Sequence, residues 1–570
     1  MRIALDIETN LAHSTIHLCV TKHLETGETK VWKNPNGLND YLSKATLLIA
    51  HNGIAFDFYL LNKLWKTKIS LKKVYDTLVA SRLLEPTKEN GHSLESYGRQ
   101  LGIQKIDYRA VWQWMIDRKE DYPGECYDRP IESLLESYCI RDVDVLARVY
   151  DYCSKRLDAQ GFSVDSLELE HSVAAIISQQ ERNGFKLDVP YATLLLTDLK
   201  TKMAGIYEQM QERWPPVTVQ RFSEKTGKQL KDEIIVFNPG SRKQIGEKLQ
   251  ELGWKPKKFT ETGQPIVDET VLMDVKIPEA QMIAMYLLLQ KRVAQVESWI
   301  EALGDDGRVH GKVITNGAVT GRMTHSKPNM AQIPNAGSLY GPECRQCWTV
   351  EDNNVLVGCD ASGLELRMLA HYMKDENYVR TVTEGSSKDG TDVHTVNQRA
   401  AGLATRDLAK TFIYAFLYGA GDAKIGSIVG GSARDGALLK DKFLKQTPAL
   451  GRLLSTVAKY AEKGFVPGLD GRKIWVRSEH AALNSLLQGA GAIVMKKALV
   501  IFNDKIKINK WPVKLVANVH DEFQFEVPAH LAEVIGEAAK QSIIEAGVFY
   551  KLRCPLDGEY KYGANWRETH

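Results

Sequence analysis

The sequence predicts a multidomain α/β protein. Three observations carry that prediction: a length of 570 residues, short apolar strands alternating with helical stretches over residues 1–150, and mixed strands and helices resuming after about residue 305 beyond a long helical interval. One hydrophobic core rarely fills so long a chain, so two or more domains are expected. Composition is that of an ordinary globular protein, 44% hydrophobic and 25% charged, without repeats or low-complexity tracts. Lys and Arg number 74 against 71 Asp and Glu, so net charge alone selects no class of partner. The window 201–260 is locally basic, with 12 cations against 7 acids, and suits either a polyanion or a plain solvated surface.

The opening "MRIALDIETN" runs into a strand pattern without a secretory signal. No uninterrupted apolar run approaches the ~20 residues of a bilayer span, so a cytoplasmic protein without a membrane partner is expected. Eight scattered cysteines do not resemble a disulfide framework, and the lone Cys344-x-x-Cys347 reads as packed thiols.

In "RIALDIET", Asp6 and Glu8 stand two apart in a strand pattern, so both side chains leave one face. Like charges so placed repel unless a cation joins them. "LLIAHNGIAFDFYLL" runs a strand into an Asn-Gly turn and puts Asp57 at the start of a helix. In the helical "LLESYCIRDVDVLARVY", Tyr138 and Asp142 lie at i and i+4 on one face. Four acids and a tyrosine can assemble a two-metal site for phosphodiester chemistry, for which hard divalent ions want carboxylate oxygens. Each fragment alone is more often a solvated face.

From about Asp151 the pattern is helical, and "VDSLELEHSVAAIISQQERNGF" ends at a glycine as a helix should. "RWPPVTVQRFSEKTGKQLKDEIIVFNPGSRK" reads as a loop or tip between helical arms. "NVLVGCDASGLELRMLAHYM" is a strand, Val355 to Cys359, then Asp360, a short turn and a helix with Glu365 and Arg367. In "TRDLAKTFIYAFLYGAG", Arg406, Lys410, Tyr414 and Tyr418 recur every four residues and form one stripe, suited to a nucleoside triphosphate or to a surface helix over core tyrosines. "KLVANVHDEFQFEV" reads as two strands folded back with Asp521 and Glu522 in the tight turn, where positive φ is expected and Glu fits poorly.

Taken in order, these motifs resemble known families. D-I-E-T, N-x-x-x-x-D and Y-x-x-x-D resemble the 3′-to-5′ proofreading exonuclease of the DnaQ-like type. D-x-S-G-L-E-L-R, R-x-x-x-K-x-x-x-Y-x-x-x-Y-G and V-H-D-E look like the three polymerase motifs of family A, the DNA polymerase I family. "NGAVTGRMTHSKPNMAQIPN" and "GLDGRKIWVRSEHAALNSLLQGAGA" are similar to the replicative polymerases of short-tailed bacteriophages. The resemblance implies an RNase H-like exonuclease domain at 1–155 and a thumb with a basic tip at 156–310. It then implies a right-hand polymerase with palm at 311–390, fingers at 391–465, and palm and C-terminus at 466–570.

It also implies a DNA polymerase with proofreading that uses two Mg²⁺ per active site, Mn²⁺ being a substitute. Asp6, Glu8, Asp57 and Asp142 would hold one metal pair, with Tyr138 orienting water. Asp360, Asp521 and the carbonyl of Ala361 would hold the other, supported by Glu522. Arg406, Lys410 and His394 would take the triphosphate of a dNTP, Tyr414 would sit at the sugar 3′-hydroxyl, Tyr418 near the templating base, and Glu365 against a 2′-hydroxyl. Arg322, Gln332, Asn484, Gln488 and His520 would line the minor groove and primer end of primer-template DNA. Helicase-primase and single-strand-binding protein are expected partners. Thioredoxin is not, because the interval from about Trp214 to Phe237 is too short for the insertion that recruits it. A nuclease without polymerase activity, a non-catalytic DNA-binding replication protein and a single-subunit RNA polymerase are the alternatives; Glu365 and the exonuclease motifs argue against the last.

Overall fold

The computed structural model describes residues 1–117, 125–222, 225–256, 259–260 and 262–570, so the basic window 201–260 lies partly outside them. The chain divides into two compact units. The first comprises Met1–Asn183, Lys312–Ser326 and Val357–Tyr562; the second comprises Gly184–Gly311, Lys327–Leu356 and Gly563–His570.

In the first unit, β1 (Arg2–Thr9), β2 (Ile16–His23), β3 (Thr29–Trp32), β4 (Leu47–Ala50) and β5 (Val74–Asp76) form one sheet in the order β3-β2-β1-β4-β5. The central strand β1 pairs antiparallel with β2 and parallel with β4. Both faces are covered, as expected of a strand with few breaks in its apolar run. Ile3, Leu5 and Ile7 pack with Phe58, Leu60 and Leu61 of helix α1 (Asp57–Leu64). Ala4, on the opposite face, packs with Cys139, Val143 and Leu146 of helix α2 (Glu132–Ala159). The two-residue strand period therefore turns Asp6 and Glu8 towards α2.

Helix α3 (Val164–Asn183) follows within the first unit. The unit's second sheet takes β6 (Asn354–Ala361), β7 (Lys514–Val519), β8 (Glu522–Pro528) and β9 (Gly558–Gly563) in the order β7-β8-β6-β9. Among the unit's further helices, those that bear on the site are α4 (Leu364–Met373), α5 (Val393–Ala401), α6 (Arg406–Leu417) and α7 (Glu479–Asn509). By length and composition α7 could cross a membrane, but 72% of its apolar window is buried inside the protein, as in a core helix.

Four charges are sealed where α3 meets α7. Glu170 of α3 accepts hydrogen bonds from Arg472 Nη1 and Lys496 Nζ, both at 2.6 Å, and Arg472 Nη2 donates to Asp470 at 2.6 Å. Two acids and two bases balance, and all four are buried.

In the second unit the helices Val189–Arg213 and Pro278–Glu301 pack along each other, over a core of Met210, Trp214, Phe237, Leu249 and Trp254. The expected tip contains a short antiparallel hairpin, Val217–Val219 with Glu233–Ile235, whose residues are all exposed. All eight cysteines are free and buried, Cys344 and Cys347 included.

Removing one partner from a buried charge set leaves the others uncompensated, which costs about 3–5 kcal/mol, whereas exchanging both partners for apolar groups is far milder. Glu170→Leu is therefore expected to lower the thermal unfolding midpoint sharply. Adding Lys496→Met to it should recover part of the loss, as followed by circular dichroism.

Candidate active sites

The first carboxylate set lies between β1, α1 and α2. Asp57 opens α1, and one of its oxygens accepts from the Ile7 backbone N–H at 3.0 Å, which ties the helix start to the strand. Ligand atoms of Asp6, Glu8 and Cys139 lie within 4.8 Å of one another, the one such His, Cys, Asp or Glu group among the described residues. The Cys139 thiol donates to Asp6 Oδ2 at 3.5 Å, and burial pushes its pKa far up, so it stays protonated. On α2, Asp142 is held by Lys105 Nζ at 2.5 Å, and the same ammonium donates to Tyr138 Oη at 3.1 Å. Asp142 Oδ1 is buried with no hydrogen-bond partner.

Crowded, buried acids resist ionisation. Burial, then the charge of Asp142, raises Asp6 to about 7. Glu8 and Asp57 are also raised, by burial first and the Asp6 charge second. Burial raises Asp142, and Lys105 partly offsets the shift.

The second set forms where β6 meets the β7-β8 hairpin. Here the hairpin reading needs correction. Val519 pairs with Glu522, so the two turn residues are His520 and Asp521, and Glu522 already belongs to β8. His520 carries the positive φ, 57°, which histidine tolerates better than most residues. Strand β6 also runs further than expected, through Asp360 to Ala361. The Ala361 N–H donates to the Asp521 carbonyl at 3.1 Å, which locks the strand end to the turn. Burial, then the charge of Asp521, then Glu522, raises Asp360 to about 7; burial also raises Asp521. Glu522 accepts from Gln524 at 2.5 Å. The turn from β6 into α4 passes through Gly363 at φ 56°, a conformation that explains glycine there.

Both sets consist of oxygen donors, and the first keeps an unpartnered buried oxygen. That chemistry fits hard divalent cations such as Mg²⁺ or Mn²⁺.

Around the second set, Glu365 of α4 is gripped from two sides. Arg322 Nη2 lies 3.3 Å from one of its oxygens, and Tyr418 Oη donates to the other at 2.9 Å. Burial, then Glu365, lifts the Tyr418 hydroxyl to about 12, so it remains a donor. The helical stripe forms on α6, with Tyr418 as its C-terminal cap and Thr405 as its N-cap. The rings of Tyr414 and Tyr418 lie 6.3 Å apart, and His394 of α5 lies 6.2 Å from Tyr414. Burial, then Arg406, lowers the His394 pKa, so the ring is neutral, and its buried Nδ1 has no partner. Lys410 is exposed. Asn484 and Gln488 sit four apart on one face of α7, half-buried. Burial and Arg322 lower the His520 pKa. Gln332 ends a short turn in the second unit, where its carbonyl accepts from Gln295.

Two residues escaped the sequence reading. Lys105 stands in a loop with no pattern to mark it. Asp392 caps α5 and holds Arg406 at 2.9 Å, and its signal was available as an acid two residues before His394 at a helix start.

Comparison with known proteins follows the same lines. A family model described as DNA polymerase family A matches residues 216–568. The DNA-directed DNA polymerase of Enterobacteria phage T3 is 33% identical, over 94% of this chain and 94% of its own length. That of Escherichia phage T7 is 32% identical and covers 100% of both chains. DNA polymerase I of Pseudomonas aeruginosa is 25% identical over 88% of this chain and 55% of its own length. A solved structure of the polymerase domain of Pol1 from M. smegmatis, in complex with DNA primer-template and dNTP, superposes with a TM-score of 0.78 at 19% identity. It covers 100% of this chain and 95% of that one, which establishes the shared fold. The chain belongs to DNA polymerase family A and is of the phage type.

Proposed function

We propose that this chain extends a DNA primer on a template with dNTPs and trims mismatched 3′ ends at a second site. One observation carries the reading: two separate sets of crowded carboxylates, one largely buried between β1, α1 and α2 and one at the junction of β6 with the β7-β8 hairpin, each with an acid raised to about 7. Acids so placed are a liability without cations and an asset with them. Asp360 and Asp521 would hold one Mg²⁺ pair, Asp6, Glu8, Asp57 and Asp142 the other, with Mn²⁺ able to substitute. When bound, such ions lower the pKa of the attacking oxygen and neutralise the departing phosphate.

The protein's own groups do the rest. Arg406 and Lys410 attract the triphosphate, and neutral His394 can donate to it. Tyr414 offers a ring face to the sugar. Glu365, pinned by Arg322 and Tyr418, leaves no freedom to retreat from a 2′-hydroxyl, which favours deoxynucleotides. Asn484 and Gln488 present amides to groove acceptors that sit alike in every correct pair. At the trimming site Lys105 donates to the Tyr138 oxygen and pairs with Asp142, which holds the phenol beside the carboxylates, where it can orient water.

On this reading residues 1–155 form the exonuclease domain, 156–310 the thumb, and the remainder the palm and fingers. The basic thumb tip grips duplex phosphate unaided. The phage T7 relative aligns over 711 positions although this chain has 570 residues, so that protein carries segments missing here, in keeping with independence from thioredoxin. Helicase-primase and single-strand-binding protein would act with it in the host cytoplasm.

Loss of even an outer partner of a metal ligand costs about 10- to 100-fold, so direct ligands should cost more. Asp521→Asn is expected to lower primer extension at least about a hundredfold while single-strand degradation persists. Retained extension would remove Asp521 from the role. Asp6→Ala with Glu8→Ala should abolish degradation of a mismatched primer end and spare synthesis; persistent digestion would show the first set to be misassigned.

A further inference from the structure

A cleft of about 430 Å³ opens in the first unit along helix α2, the helix that also carries Asp142. Its charged walls are Arg2 of β1, Lys22 of β2, and Arg141, Asp144, Arg148 and Asp151 of α2. Both acids are already neutralised, Asp144 by Lys22 at 2.5 Å and Asp151 by Lys155 at 2.6 Å. Arg2 is held by Glu25 at 2.9 Å. Arg141 and Arg148 are exposed and, among the described residues, their side chains make no hydrogen bond or ion pair. Seven residues apart, they lie on one face of the helix, about 10.5 Å from each other along its axis. Mixed charge on an exposed helix face usually pairs within itself. Here the acids between the arginines are engaged elsewhere, which leaves two positive forks open to the cleft.

The walls also say what the ligand offers. Guanidinium forks match phosphate oxygens. The aromatic residue in the cleft, Tyr150, is buried, with Arg2 over its ring at 5.9 Å, so no open face is available to stack a base. Recognition of a sugar-phosphate backbone, independent of sequence, fits such a lining. Position adds to this. Ile103 forms part of the wall, while Lys105, two residues on in the same loop, reaches Asp142 and Tyr138. Arg141 directly precedes Asp142 on α2.

We propose that this cleft is a backbone-binding track for single-stranded DNA, in which Arg141 and Arg148 hold phosphates of the strand whose end is being trimmed. The proposal rests on the trimming role given to the carboxylate set that shares helix α2 with the cleft. In the full chain, Arg141→Glu with Arg148→Glu should raise KM for degradation of a labelled oligothymidylate at least tenfold. The turnover number and primer extension on a primed template should stay within twofold.

Arg141→Gln with Arg148→Gln keeps the side-chain length and guards against a folding defect. Each single-strand phosphate contact contributes about 0.7 to the slope of log affinity against log salt, so this variant should flatten the slope by about 1.4. The slope is read by fluorescence anisotropy in EDTA, where nothing is degraded. Unchanged KM and slope would overturn the proposal. So would loss of polyglutamate binding with oligonucleotide binding intact, which would assign the cleft to an acidic protein segment. If the wild type degrades nothing, the trimming role fails by itself, and the salt slope still decides whether the cleft binds DNA.

Discussion

Mutual repulsion among crowded carboxylates is the constraint from which the rest of this structure follows. At both sites acids crowd together, the first set on a strand and two helices and the second at a strand end and a hairpin turn, with desolvation and neighbouring charge each opposing ionisation. Asp6 and Asp360 reach about 7. The sign matters. A folded-state pKa raised above the unfolded value favours folding fully only below the ordinary carboxylate range, and that contribution is lost as pH rises through about 7. At neutral pH the fold therefore tolerates strain at these points, and a divalent cation is the natural means of relieving it.

Strain of that kind persists only in a frame that cannot give way. Strand β1 sits in mid-sheet with apolar contacts on both faces, and Asp57 is tied to the Ile7 N–H. The second set is braced by the Ala361–Asp521 backbone bond and by the hairpin beneath it. Helix α3, packed against α7, closes a neutral set of four buried charges at its foot. Arg322, Glu365 and Tyr418 extend the same logic outward, since Arg322 and Tyr418 fix the Glu365 carboxylate from two sides.

Much of this was legible in the chain. Period-two alternation placed Asp6 and Glu8 on one face, and four-residue spacing placed the α6 stripe, because both arguments depend only on local geometry. The hairpin was legible too, but its register was off by one, since alternating apolar residues fix the strands and leave the turn residues open; the backbone at His520 decided it. The partners of the site residues were hidden for another reason. Lys105 meets Asp142, Asp392 meets Arg406, and Glu170 meets Lys496 across 326 positions, contacts that no spacing rule encodes.

The most direct measurement is a titration with Mn²⁺ at pH 6 and pH 8, followed by electron paramagnetic resonance, on the wild type, Asp57→Asn and Asp360→Asn. Two independent classes of bound ion are predicted, each lost with its own substitution, and both weaker at pH 6, where acids near 7 must first give up a proton. Equal affinity at the two pH values, or binding that neither substitution disturbs, would contradict the account.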